Sequence, residues 1–244
     1  MRRLWMSALL APVVALAIPV AAAAAPSAPV APAAPAAAAA AVHTSQPAGM
    51  TRAQVRTLQR RLAALKYYPG PVTGRWGIDL QEAVWAFQET QGLPGADYVS
   101  SAMQRALANP RAPKVLDRAA GANRIEVNIR TEVLVLYHNN SIELISHVST
   151  GGHYYYDCTP YGCAFASTPT GNFHTIVFLP GWVTVPLGEM YNPTFFIGTA
   201  YAIHGDTEVP LQPVSHGCVR IPMDIAAFFH TLVKIPGEPV IIRD

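Results

Sequence analysis

The sequence predicts an α+β multidomain protein, a small three-helix bundle followed by a mainly β domain. Three observations carry this. Between Met50 and Asn109 apolar residues recur at spacings of three and four, from Ile125 onward they alternate or run in short blocks, and a polar stretch with prolines separates the two regimes. The first spacing lines one face of a helix and the second one face of a strand.

The N-terminal segment belongs to neither regime. Met1-Arg2-Arg3 is basic, Leu9 to Val20 is apolar, and Ala21 to Ala25 is a run of small residues. That order reads as a secretory signal over 1–25, removed by cleavage, so no stable membrane insertion is expected afterwards. Weakly apolar alanines and two interrupting prolines argue against a lasting anchor. Losing Arg2 and Arg3 takes the formal charge from +2 to zero. A neutral chain with no basic run offers nucleic acid no electrostatic footprint, so none is expected as a partner. Residues 26–49, rich in alanine and proline and almost uncharged, read as an extended tether.

The helical segment, 50–109, opens on a capping-box pattern, Thr51-x-x-Gln54, before Val55, Leu58, Leu62 and Leu65. Tyr67 to Pro71 breaks that helix. Asp79-x-x-Glu82 starts a second, with Leu80, Val84 and Phe87 inward and Gly92 as its stop; Ser100 or Ser101 opens a third. Trp85 is expected in the core, and Trp76, in a turn between glycines, is the exposed stacking candidate. Residues 110–122 form a linker.

Strands are expected at 125–129, 132–137, 141–149, 173–178, 182–185, 201–204 and 240–243, with a turn at Asn139-Asn140. Asp224 is expected to cap a helix running through Ile225, Phe228, Phe229, Leu232 and Val233. Between Gly151 and Thr168 lies an aromatic loop with Tyr154, Tyr155, Tyr156, Tyr161 and Phe165, read as a lid or channel wall or as a surface excursion packed on itself.

Three cysteines in an exported chain divide into a pair and a leftover. Cys158 and Cys163 flank the turn-forming Thr159-Pro160-Tyr161-Gly162, a span short enough to close as a disulfide. Cys218 is the odd thiol, set in Ser215-His216-Gly217-Cys218-Val219-Arg220. A cysteine attacks as its thiolate and needs a base or positive charge beside it. Gly217 permits close backbone approach, with amides free to face an oxyanion. Fourteen residues upstream stands His204-Gly205-Asp206. The remaining histidines, His147 among them, show no reactive partner in the sequence. The pattern reads as a Cys/His acyl-transfer site.

His204-Gly205 followed by Ser215-His216-Gly217-Cys218-Val219-Arg220 resembles the signature of the YkuD-type L,D-transpeptidases. Val148-Ser149-Thr150-Gly151 and Thr168-Pro169-Thr170-Gly171-Asn172-Phe173 are similar to the same family. Val55 to Leu62, Gly74-Arg75-Trp76-Gly77 and Ala83 to Gln88 resemble the three-helix peptidoglycan-binding domain, with a shorter turn at Leu93 to Tyr98. The resemblance implies a β-rich catalytic domain over 123–244, acting on peptidoglycan in the periplasm or cell wall. It implies Cys218 as nucleophile and His204 as general base and acid. His216, Gly217 and Cys218 amides would bind the oxyanion, Ser215 and Gly205 would complete the site, and Arg220 would hold a substrate carboxylate where many relatives have asparagine. The implied reaction joins stem peptides by 3–3 cross-links through a thioester, as a monomer and with no metal or organic cofactor. Hydrolysis of the same L,D bond is the alternative. Two others are a zinc peptidase using His204, Asp206 and His216, and a wall-binding scaffold without activity.

Overall fold

The computed structural model describes residues 49–244; the expected signal segment, nearly all of the tether and His43 lie outside the described residues. A helical N-terminal region is followed by a mainly β domain.

Helix α1 (Arg52–Ala64) begins at the capping box: Thr51 Oγ1 accepts from the Gln54 amide, and the Gln54 side chain accepts from the Thr51 amide at 2.7 Å. Helix α2 (Ile78–Gln91) starts one residue before Asp79, with Gly77 as its cap, and stops at Gly92, whose φ of 68° is left-handed and suits glycine. Helix α3 (Ser101–Ala108) is capped by Ser100. Val55, Leu58, Leu62, Leu80, Val84, Phe87 and Met103 meet in one core. Trp76 corrects the expectation of an exposed stacking residue. Its ring is buried and its Nε1–H donates to Gln81 Oε1 at 2.8 Å, so both faces and the polar edge are taken.

Helix α2 is buried on nearly every side. The reason lies in its neighbours, since Val133, Val135, Tyr137 and Ile145 of the β domain belong to the same core. A helix enclosed all round needs a partner on each face. α2 has the helical region on one side and a sheet on the other.

That sheet runs β3 (Ser141–His147), β2 (Val133–His138), β1 (Arg124–Asn128), β12 (Pro239–Arg243), β6 (Gly171–His174); β1 and β12 are parallel and the other neighbours antiparallel. Alternation sorts β2 cleanly. Val133, Val135 and Tyr137 face the helices, while Leu134 and Leu136 join Ile125, Val127, Val240 and Ile242 in a second core on the other face. A strand covered on both faces reads as a continuous apolar run, as Val133 to Tyr137 does. Each such side chain contributes about 1.5–3 kcal/mol by burial.

The second sheet closes the other side: β11 (Val219–Ile221), β10 (Tyr201–Gly205), β9 (Gly188–Ile197), β7 (Val177–Phe178), with β8 (Trp182–Val185) also on β9. β10 and β11 are parallel. The ten-residue β9 was not expected, because Asn192, at a φ of 49°, and Pro193 interrupt its pattern. The Asn192 side chain repairs the bend, accepting from the Gly181 amide at 2.7 Å and donating to the Ala226 carbonyl at 3.1 Å. The aromatic loop folds as a hairpin, β4 (Tyr155–Thr159) and β5 (Gly162–Phe165), with Cys158 and Cys163 bonded near its tip.

The expected helix after Asp224 is instead two short ones, α4 (Met223–Ala226) and α5 (Phe229–Leu232), broken at Phe228. Ile225, Ala226, Phe229 and Val233 still bury their side chains at helical spacing across the break, which is why periodicity suggested one helix. Pro222 holds the cap position. Asp224 accepts from the adjacent Ile225 amide instead.

Candidate active site

The site is a consequence of strand alternation. On paired parallel strands, residues in register share a face and every second residue returns to it. Ile203 pairs with Val219 and His204 with Arg220. Ile203, Val219 and Ile221 point into the second core. His204 and Arg220 therefore project to the opposite face. Cys218, one residue before β11, continues that alternation and packs beside Ala202, Met190 and Phe195. Cys218, His204 and Arg220 all line a cleft of about 390 Å³ with Ser215, His216, Gly217 and Tyr201.

The turn before Cys218 is tied down by side-chain oxygens. Ser215 Oγ donates to the Cys218 carbonyl at 2.6 Å and accepts from the Gly217 amide at 3.0 Å. The Gly217 N–H is thus already spent, which differs from the expectation that it faces an oxyanion. Gly217 serves through conformation: its φ is 144°, and a Cβ would lie 2.7 Å from the Tyr201 ring and 2.8 Å from the Ser167 carbonyl. Thr168 joins both glycine motifs to this turn. Its Oγ1 donates to the Gly217 carbonyl at 2.8 Å and accepts from the Gly151 amide at 2.9 Å. Gly151 leaves no room for a Cβ, which would sit 2.6 Å from the Ser167 backbone. Gly205 is equally constrained, because Ala226 of α4 packs where its Cβ would be.

His204 is buried, and its Nδ1 lies 2.9 Å from the Gly205 carbonyl. A carbonyl only accepts, so Nδ1 carries the proton and Nε2 keeps its lone pair. Burial lowers the His204 pKa; the Gly205 carbonyl and Asp206 oppose this, and Arg220 adds to it. Burial raises the Cys218 thiol, against the Ala202 backbone and Arg220. Both shifts favour the neutral forms, thiol and imidazole. Cys218 Sγ contacts the Ala200 carbonyl at 3.8 Å and is the free cysteine among the described residues.

Arg220 Nε lies 3.1 Å from Asp206 Oδ2, near enough to pair in charge although its N–H is not aimed at the oxygen, and Nη1 donates to the Glu208 carbonyl at 3.3 Å. His216 is held edge-on by Tyr154 and Tyr156, with ring centroids 5.6 and 4.7 Å away. Burial and then Arg220 lower its pKa. The aromatic hairpin therefore packs on His216, and its Tyr156, Asp157 and Ala164 line the cleft together with Val185 to Met190.

Sequence reasoning missed Thr168 as the bridging hydroxyl, and two buried groups behind the site. Glu132 accepts from the Thr150 amide and hydroxyl at 2.7 Å each, and burial raises its pKa to about 7 despite them. His147, set aside as partnerless, meets Glu89 at 2.9 Å. No local pattern signals either, since Glu89 and His147 stand 58 residues apart.

Residues 122–242 match the family model of the L,D-transpeptidase catalytic domain, YkuD. The β domain belongs to the L,D-transpeptidase family. Residues 51–97 match the model of a peptidoglycan binding domain, so the helical region ahead of the L,D-transpeptidase domain is also family-typed. Among solved structures, an L,D-transpeptidase from Xylanimonas cellulosilytica is 29% identical with a TM-score of 0.72, over 78% of this chain and 93% of its own. An L,D-transpeptidase from Stackebrandtia nassauensis is 17% identical, TM-score 0.47, over 82% and 96% of the two chains. No curated protein is similar enough to be matched.

Proposed function

We propose that this peptidoglycan-acting protein is a cysteine-dependent L,D-transpeptidase that forms 3–3 cross-links between stem peptides. The observation that carries the reading is the shared face of β10 and β11, with His204 Nε2 left as a base and Cys218 lining the same cleft.

His204 takes the Cys218 proton as sulfur attacks the amide carbonyl of the third stem residue, a diamino acid. A neutral pair makes proton transfer concurrent with attack. The oxyanion is met by the His216 and Cys218 amides, because that of Gly217 is engaged with Ser215. As the C–N bond breaks, His204 returns its proton to the departing D-alanine amine, leaving a thioester. The side-chain amine of a second stem then attacks; its C–N bond forms, the C–S bond breaks, and the amine proton passes through His204 to the thiolate. Arg220, at the cleft wall with Asp206 as counter-ion, presents guanidinium to a substrate carboxylate. The Cys158–Cys163 bridge holds the aromatic hairpin that walls the cleft. Such a protein works in the periplasm or cell wall, held to its polymer by the helical region.

Mass spectrometry of the full chain incubated with stem tetrapeptides tests this. The expected product is a cross-linked dimer that has lost one D-alanine. Shortened tripeptide alone would make the protein an L,D-carboxypeptidase, and no product with either donor or acceptor would overturn the reading.

A further inference from the structure

The loop 206–214 connects the strand bearing His204 to the turn bearing Cys218, so its shape sets the spacing of the two. It is pinned from three directions. Ser149 Oγ donates to the Gln212 carbonyl at 2.9 Å and accepts from the Val214 amide at 3.1 Å. Leu211 packs against Gly95 of the helical region so tightly that a Cβ there would lie 2.6 Å from Leu211 Cδ2. His147 Nε2 lies 3.1 Å from both the Val209 and the Pro210 carbonyls.

The His147 ring is fully enclosed. Its Nδ1 is 2.9 Å from the Glu89 carboxylate on α2, and the Trp85 ring meets it edge-on at 5.5 Å. Two carbonyls can only accept, so Nε2 must carry a proton. Nδ1 and the Glu89 carboxylate then share one further proton, and wherever it sits Nε2–H keeps pointing at the loop. Burial raises Glu89 to about 7 against the pull of His147. Burial works to lower His147, but the charge and hydrogen bond of Glu89, helped by Glu132, outweigh it and raise it. A buried pair of this kind adds little stability over an apolar pair of the same volume. Its geometry, however, fixes a donor on the loop between the reacting residues.

We infer that Glu89 and His147 are positioning residues for the acyl transfer, through which helix α2 holds the 206–214 loop and hence the spacing of His204 and Cys218. The inference rests on the reading that those two residues carry the chemistry. It makes the helical region part of the catalytic framework as well as a wall-binding element.

The test uses the full chain and a carbapenem-class β-lactam as acylating probe. Adduct formation on Cys218 is followed by intact-protein mass spectrometry and expressed per reactive site, with thermal unfolding measured alongside. His147→Phe fills the ring volume but removes Nε2–H, and its acylation rate constant is expected to fall roughly ten- to a hundredfold. Glu89→Gln can donate from its amide to Nδ1 and so keep Nε2–H on the loop; it is expected within about threefold of wild type. If His147→Phe does not fold, His147→Met, which also lacks the Nε2–H donor but has a flexible side chain that adapts to the space, is expected to lose about tenfold. A lowered melting temperature with a wild-type rate per site in the folded variant overturns the inference, as does a Glu89→Gln rate as low as that of His147→Phe. Absence of an adduct on wild-type Cys218 overturns the site reading itself, and this inference with it.

Discussion

Replacing Thr168 by valine removes one oxygen and almost no volume, yet it should damage both the fold and the site. Thr168 is buried, and its Oγ1 serves two backbone groups, the Gly217 carbonyl at 2.8 Å and the Gly151 amide at 2.9 Å. Both glycines are buried too, so water cannot replace the hydroxyl. Leaving a buried polar group without a partner costs about 1–3 kcal/mol, and two such groups give a destabilisation of about 2–6 kcal/mol. For a folded region of this size that corresponds to a fall in melting temperature of roughly 4–24 °C. Thr168→Ser keeps the oxygen and loses a methyl group, a change of about 1 kcal/mol. Urea unfolding of the three proteins, with the slope checked for constancy, measures the difference, and acylation of Cys218 reports the turn. A Thr168→Val midpoint equivalent to less than about 0.5 kcal/mol from wild type would mean that the hydroxyl does not hold the two glycines.

The depressed His204 pKa predicts that acylation keeps its rate as pH falls past the ordinary histidine range near 6.5, declining only below it; a midpoint at or above that range contradicts the burial argument. Glu132 has its folded pKa raised to about 7, so the folded state holds more protons than the unfolded one between about 4.5 and 7, and its contribution to stability declines as pH rises through that window. Glu132→Gln, which mimics the protonated acid toward Thr150, should flatten that part of the stability profile; an unchanged slope would exclude Glu132 as its source. Peptide mapping without reductant should find one 158–163 bridge and a single alkylatable thiol, Cys218, and a map joining Cys218 to either partner would sink the free nucleophile.

The site was legible wherever the information was local. His204-Gly205 and Ser215 to Arg220 are short segments whose alternation alone sends Cys218 and His204 to one face once β10 and β11 pair. Thr51, Gly92 and Ser100 marked helix ends because capping is settled within a few residues. What failed was set by distant partners. Trp76 sits between turn glycines and looked exposed, but Gln81 and the packed helices cover it. α2 was read with one inward face, because nothing near it in sequence announces the β2 and β3 side chains on its other side. β9 hid behind Asn192 and Pro193, whose bend is repaired by a side chain pairing with Gly181. Glycine beside a nucleophile suggested a free amide at 217, and only the Ser215 rotamer reveals that it is occupied.

Whether Cys218 is the nucleophile is decided by locating the acyl adduct. Wild-type protein and Cys218→Ala are incubated with a stem tetrapeptide or a carbapenem-class β-lactam, and the adduct is located by digestion and mass spectrometry. A single thioester is expected on the peptide that carries Cys218 in the wild type, and none in the variant. An adduct that persists in Cys218→Ala, or that maps to another residue in the wild type, would contradict the assignment of Cys218 as nucleophile.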